Sequence, residues 1–200
     1  SEIKAILSND DVKRDLDEEG LFHYLSFLAV PAPKTMFQGI NKLRGGSWLK
    51  VDSSGEVEEK IYWDPLDADV ENKLTDTDLA KDILDELREA VRLRKVSDVP
   101  VGVFLSGGID SSTNTALFSK DESHKAKTFS VGYDQDYPSY TSELGFARDM
   151  ANHIGTEHHE IKLTRKDLEE FLPKMVAMQD EPIADPVCVP LYFVSQLARN

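Results

Sequence analysis

Residues 99–119, VPVGVFLSGGIDSSTNTALFS, gather the residue types in this sequence best suited to holding an anion. Gly107 and Gly108 carry no Cβ, so they can take positive φ and let their amides approach a ligand closely. Ser106 and Ser111 add hydroxyl donors, and a helix beginning near Asp110 presents free N–H groups carrying positive partial charge. The result is an oxyanion cradle of a kind that suits phosphate. An aspartate in such a place repels phosphate unless a cation stands between them, which makes Asp110 the candidate Mg²⁺ contact, direct or through water. The turn is not a Walker A loop, since no Gly-Lys-Ser/Thr follows, and it is not GxGxxG. A bare Gly-Gly turn between strand and helix is commonly plain punctuation; five specified positions directly after a β-rich strand argue for more. No GxSxG elbow surrounds Ser106, so the context is wrong for a serine hydrolase.

Three other groups of residues invite a chemical reading. DEPIADP, residues 180–186, holds two prolines and three acids and is poor core material, and its composition equally suits a rigid turn. His158 and His159 are neighbours on a predicted strand, so they point to opposite faces and cannot readily share one metal ion. Cys188 is the only thiol. A cysteine nucleophile that uses its own α-amino group as base must be amino-terminal, which an internal loop position does not provide, so Cys188 reads as structural.

The elements that would position these residues are legible from periodicity. Residues 17–28 predict a short helix with Leu21, Tyr24, Leu25 and Leu28 on one face, stopped by PAP at 31–33. SWLKV, the turn SSG at 53–55 and EVEEKIYW predict a β-hairpin. Residues 64–76 are acidic and aperiodic, the best linker candidate. From Thr77 a long helix is marked by Leu79, Ile83, Leu87 and Val91. Strand and helix then alternate: VGVFL, helix 111–119, TFSVGY, helix 142–154 capped by Gly155, HHEIKL, helix 165–178, and a last helix from about Leu191. Such alternation predicts an α/β fold, a parallel twisted sheet with helices on both faces. In such sheets ligands sit beyond the carboxyl ends of the strands, where SGGIDS falls.

Composition narrows the partners. A chain of 200 residues with 40% hydrophobic content can build a core. A net charge of −14 argues against a surface for nucleic acid or anionic lipid, which needs clustered Lys and Arg. A single cysteine excludes a disulfide framework. No apolar run reaches membrane-spanning length, and SEIKAILSNDD is not a signal peptide, so a soluble, cytoplasmic protein is expected.

With these residues in view, SGGIDS resembles the pyrophosphate-binding loop of the ATP pyrophosphatases, whose fold is adenine nucleotide alpha hydrolase-like. SEIKAIL, YLSFLAVPAPKTMFQGINKL, YWD, VPVGVFLSGGIDSS, TFSVGY, ARDMANHIGTEHHEI and DEPIADPVCVPLYFVSQLAR resemble, in order, the glutamine-hydrolysing asparagine synthetase family. The resemblance implies residues 1–65 as the end of a glutaminase domain plus linker, and 66–200 as the first part of a synthetase domain. It also implies a longer protein, with an amino-terminal glutaminase cysteine and a second acidic, glycine-rich synthetase motif outside this sequence. It assigns Ser106, Gly107, Gly108, Asp110 and Ser111 to the ATP phosphates and the departing pyrophosphate. It implies Asp110 as the catalytic and Mg²⁺-contacting residue. Leu105, Val131 and Gly132 fall to adenine or ribose, largely through backbone, and as bland alternatives Leu105 and Val131 are core strand residues. Asp180, Glu181 and Asp185 fall to the pyrophosphate and acceptor side. Two departures stand out: LRGGS where the family carries a Pro-Pro-Gly-His-like turn, and Ser142-Glu143 where it carries an Asp-Glu pair.

The implied reaction is ATP-dependent amidation of a carboxylate, aspartate by default, through an acyl-adenylate, with ammonia drawn from glutamine. A uronic-acid sugar, a peptide or another carboxylate is the alternative acceptor. A tRNA-modifying or sulfur-transferring enzyme with the same loop would want a basic surface and paired cysteines, and a non-catalytic nucleotide-binding domain is the third class. The implied partners are small molecules, with no nucleic acid and no membrane, and the family pattern allows a homodimer in the full-length protein. These 200 residues alone are expected to bind ATP weakly and turn nothing over.

Overall fold

The computed structural model describes residues 2–67, 74–120, 122–135 and 142–199. It divides into two compact units, one within residues 1–72 and 174–185, the other within 73–173 and 186–200. The middle of the linker candidate, residues 68–73, lies outside the described residues. Among the described residues no helix is long and apolar enough to cross a membrane.

The first unit begins with helix α1 (Ile3–Ile6) and helix α2 (Glu18–Phe27). Asp17 caps α2, its carboxylate accepting from the Gly20 amide at 2.8 Å. That bond, reinforced by the Lys34 ammonium at 3.3 Å, holds the Asp17 carboxyl below its usual range. The helix ends ahead of the expected PAP stop, because Leu28 turns left-handed (φ 63°) and closes onto the Tyr24 carbonyl at 2.8 Å. Nor is its expected apolar face fully covered: Leu25 is 71% and Leu28 59% exposed. The buried side is set instead by Gly20, where a Cβ would lie 2.3 Å from the Thr35 carbonyl oxygen, which turns Leu25 outward. Strands β1 (Ser47–Val51) and β2 (Val57–Ile61) form the expected antiparallel hairpin. Asp52 gathers its turn by accepting from the Ser54 hydroxyl at 2.6 Å and the Glu56 amide at 3.0 Å. A single 3₁₀ turn, Pro65–Asp67, follows.

The second unit starts with α3 (Asp76–Arg94), capped by the Thr75 hydroxyl, which accepts from the Asp78 amide at 3.2 Å. Strands β3 (Val103–Phe104), β4 (Lys127–Tyr133) and β5 (Glu157–Leu163) form a parallel sheet in the order β3-β4-β5. Helices α4 (Ile109–Lys120), α5 (Leu144–Ile154) and α7 (Cys188–Arg199) flank it, and α6 (Arg165–Met178) follows β5 in the chain. The α/β fold read from alternation is therefore present. The core gathers Leu105, Ala147 and Ala151, each at most 2% exposed, with Met150 against them. Small residues on one face of α5 let it lie close on the sheet, and Gly155 (φ 85°) ends it as expected. Helix α7 starts three residues before the expected Leu191. Pro190 reads as a breaker in sequence, yet a proline is tolerated in a first turn, where its missing N–H has no intrahelical acceptor.

Candidate functional site

The SGGIDS loop begins where the sheet stops. The Leu105 amide donates to the Phe129 carbonyl at 2.9 Å, extending the β3–β4 ladder by one residue, and the buried Ser130 hydroxyl donates to the Leu105 carbonyl. The chain therefore leaves the sheet only at Ser106. Gly107 takes φ 85°, and a Cβ there would lie 2.5 Å from the Ala147 amide nitrogen and 2.6 Å from the Phe146 carbonyl carbon. The glycine is thus needed for close approach to α5 as well as for the turn. Gly108 differs, since a Cβ there would meet only the Ser106 hydroxyl, at 3.4 Å.

The two serines knit the loop. Their hydroxyls are 2.8 Å apart; Ser111 Oγ lies 3.2 Å from the Ser106 amide and 3.2 Å from the Gly108 carbonyl. The Gly108 amide donates to Ser106 Oγ at 3.3 Å. One assignment satisfies all four: Ser106 donates to Ser111, and Ser111 donates to the Gly108 carbonyl. The first bond closing the α4 ladder is the Ser112 amide to the Gly108 carbonyl at 3.0 Å. The amides of Ile109, Asp110 and Ser111 come before it, so they have no intrahelical acceptor. A helix start of this kind attracts anions.

Beside the loop is a cleft of about 470 Å³, within the range of small-molecule sites. Leu105, Ser106, Ser111 and Val131 line it, so four of the residues singled out in the sequence meet there. Gly132 acts from behind: a Cβ would fall 2.5 Å from Leu144 Cδ1, so its absence admits the first residue of α5 onto β4. Gly107, Gly108 and Asp110 belong to the loop without lining the cleft. The opposite wall, Val187, Pro190, Leu191 and Val194 of α7 and the residues just before it, was not anticipated. Its signal was masked by Pro190, which hid the first turn of α7. Phe129 and Tyr133 also line the cleft, and their strand pattern read only as core.

Asp180 and Glu181 belong to the first unit. Asp180 accepts from the amides of Ile3 at 2.7 Å and Lys4 at 3.3 Å; Glu181 accepts from the Met36 amide at 2.9 Å and pairs with Lys42. Asp185 is exposed at the end of that segment. The two histidines part as neighbours on a strand do. His158 Nδ1 is 2.9 Å from the Thr128 hydroxyl, while His159 stacks on Phe129 with ring centroids 5.3 Å apart. Burial lowers the His158 pKa, outweighing the attraction of Glu160 at 3.2 Å. Cys188, expected in a loop, is the first residue of α7.

The residues present fit a metal-bearing phosphate group. Asp110 is exposed and has no ion pair among the described residues, so its carboxylate is available beside donors that favour anions. Among the described residues no three His, Cys, Asp or Glu side chains gather to hold a metal ion. A Mg²⁺ ion here would therefore take most of its ligands from phosphate and water, with Asp110 as the protein contribution.

Comparison with known proteins agrees along the chain. A family model described as "Asparagine synthase" matches residues 82–200, and one described as "Glutamine amidotransferase domain" matches residues 1–63. The chain is 35% identical over 202 residues to asparagine synthetase [glutamine-hydrolyzing] 1 of Bacillus subtilis, covering 100% of this chain and 30% of that protein. It is 30% identical over 205 residues to putative asparagine synthetase [glutamine-hydrolyzing] 2 of Methanocaldococcus jannaschii, covering 100% of this chain and 38% of that one. The chain thus spans about a third of the length of these relatives. Among solved structures, an NH3-dependent NAD synthetase from Campylobacter jejuni aligns with a TM-score of 0.37 at 16% identity, over 63% of this chain and 53% of that one.

Proposed function

Because the chain belongs to the asparagine synthase family, we propose that it carries the nucleotide site of an enzyme that amidates a carboxylate at the expense of ATP, releasing AMP and pyrophosphate. The observation that carries this reading is the SGGIDS loop: knit by its two serine hydroxyls, it sets the unpaired first-turn amides of α4 beside an apolar cleft. That arrangement suits a ligand with a flat apolar end and an anionic end. In this reading Leu105, Val131 and Gly132 shape the adenine and ribose side, largely through backbone. Ser106, Gly107, Gly108 and Ser111 hold the phosphates and then the leaving pyrophosphate. Bound Mg²⁺ neutralises phosphate charge, and Asp110 is the residue that meets it. The loop amides are fixed before substrate arrives, so they stabilise developing charge without reorganising. Asp180, Glu181 and Asp185 belong to the pyrophosphate and acceptor side in the same reading. Aspartate as acceptor, glutamine as the source of ammonia through the segment around residues 1–63, and a cytoplasmic setting belong to the same proposal.

The test uses the full-length protein with Mg-ATP, glutamine and aspartate, following AMP, pyrophosphate and asparagine together. Equal amounts of all three are expected. AMP and pyrophosphate appearing only with another carboxylate would keep the chemistry and change the acceptor; no pyrophosphate with any acceptor would defeat the reading. Asp110→Asn should cut pyrophosphate release by about a hundredfold or more, the scale of losing one preorganised electrostatic contact. Undiminished release in that variant would assign the loop a non-catalytic role.

A further inference from the structure

The pairing of β4 with β3 stops early, and it stops beside the cleft. On its other side β4 pairs with β5 along its whole length. The Glu157 amide donates to the Ala126 carbonyl at 2.9 Å, and the Asp134 amide to the Leu163 carbonyl at 3.0 Å. Backbone groups along a strand face its two neighbours alternately, so the even-numbered residues of β4 face β5 and the odd-numbered ones face β3. Phe129 fits that rule, its carbonyl accepting from the Leu105 amide at 2.9 Å. One rung further, a regular parallel ladder would send the Val131 amide to the Leu105 carbonyl and the Gly107 amide to the Val131 carbonyl. Neither bond is present among the described residues.

Two residues account for the break. Gly107 turns left-handed, at φ 85°, and takes the chain out of the sheet. The Leu105 carbonyl is held instead by the Ser130 hydroxyl. Ser130 is 4% exposed and Leu105 2%, so the bond lies out of reach of water, where a hydroxyl without an acceptor would be costly. Leu105 therefore has both its amide and its carbonyl engaged. Val131, half-buried and lining the cleft, keeps an N–H donor and a C=O acceptor side by side on the open edge of β4.

An N–H beside a C=O complements the edge of adenine, which offers a ring-nitrogen acceptor beside an amino donor. Guanine and hypoxanthine offer the reverse pair, a ring N–H beside a carbonyl. We propose that Ser130 is a positioning residue for base recognition: by holding the Leu105 carbonyl, its hydroxyl keeps the Val131 amide from closing another rung, and so leaves the Val131 backbone free to select adenine. The proposal rests on reading the cleft as the ATP site. Ser130 acts in it through Val131, without touching the nucleotide. Once the hydroxyl is gone, the Leu105 carbonyl is a buried acceptor in need of a donor, and the Val131 amide is the one that the register of the ladder assigns to it.

The experiment takes the full-length enzyme and compares Ser130→Ala and Ser130→Thr with the unaltered protein. Hydrogen exchange is read at the Val131 amide without nucleotide, and affinities for Mg-ATP and Mg-ITP are read by calorimetry. ITP carries hypoxanthine, which has nearly the shape of adenine and the reversed edge. In the unaltered protein the Val131 amide should exchange faster than those of Ser130 and Gly132, which face β5. ATP should bind at least about tenfold more tightly than ITP, since a mismatched edge leaves polar groups unpaired. Ser130→Ala should slow exchange at Val131 and weaken ATP about five- to tenfold, the scale of one lost hydrogen bond, with ITP changing little. A merely structural role predicts the opposite sign, because a loosened core quickens exchange. Ser130→Thr keeps the hydroxyl and should restore fast exchange at Val131 and most of the preference for ATP. Exchange at Val131 unchanged or quickened in Ser130→Ala, or equal losses of ATP and ITP affinity, would overturn the proposal. Should Ser130→Ala fail to fold, Ser130→Cys, whose thiol is a weak donor, is judged by the same readouts. Should the unaltered protein bind neither nucleotide, the reading of the cleft falls by itself, and exchange at Val131 alone decides whether Ser130 holds the strand edge open: slowed in Ser130→Ala supports it, unchanged overturns it.

Discussion

Gly107 answers two demands at once, a left-handed backbone and contact with the backbone of α5, whereas Gly108 answers neither. Alanine at 107 would bear about 1–2 kcal/mol for the left-handed conformation and would also push Phe146 and Ala147 away. Gly107→Ala should therefore lower stability by at least about 2 kcal/mol in urea titrations, with nucleotide binding lost alongside. Gly108→Ala has room for its methyl group, so it should fold with a midpoint near that of the unaltered protein yet bind ATP at least tenfold more weakly, because the Cβ stands where the anion must approach. Normal ATP affinity in Gly108→Ala, measured by calorimetry, would mean that the phosphates lie elsewhere. In the sequence the two glycines look equivalent. What separates them is α5, some 40 residues downstream, and no local pattern carries that contact.

At the scale of elements, the caps, the hairpin turn and the strand-helix alternation were legible because each rests on neighbours in sequence: Asp17 for α2, Asp52 for the turn, Gly155 for α5. What was not legible depends on distant partners or on a residue with two meanings. The exposed side of α2 follows from the Gly20–Thr35 approach, and the start of α7 was hidden by Pro190. The pairing of β4 with β5 adds a feature visible only in three dimensions. Thr128 on β4 is fully buried and its hydroxyl is 2.9 Å from both Thr156 Oγ1 and His158 Nδ1. Burial keeps His158 below the ordinary 6.5, so the unfolded chain takes up a proton that the folded sheet resists. Stability from this group is present above about pH 6.5 and is lost as pH falls below it. Asp17, Asp52 and Asp167 are held below the ordinary 3.8 and act only at lower pH. Urea midpoints should therefore drop between pH 7.5 and 5.5 in the unaltered protein and much less in His158→Gln. An equal drop in both would place the titrating group elsewhere.

For the whole molecule, the unequal cores of the two units decide how it unfolds. The first unit buries few large apolar residues, Val30 and Ile40 among them, and leaves Phe22, Leu25 and Phe27 on α2 more than 60% exposed. The second buries Leu105, Phe118, Phe129, Leu144, Leu163 and Phe171 at 7% exposure or less. Since apolar burial is the dominant favourable contribution to folding, the second unit should be the more stable. The bonds that thread residues 178–184 into the first unit join positions up to 177 apart in sequence, which is why no reading of local periodicity finds them. Both tryptophans, Trp48 and Trp63, fall in the first unit, while α3, α4, α5 and α7 fall in the second. Tryptophan fluorescence therefore reports the first unit and far-ultraviolet circular dichroism chiefly the second. Two independent cores predict two transitions: in urea, the fluorescence midpoint of residues 1–200 should come first and the dichroism midpoint later. Glu181→Ala should lower the fluorescence midpoint more than the dichroism midpoint, because the bonds it removes lie inside the first unit. Coincident curves in both proteins would show instead that the two cores melt in one cooperative transition.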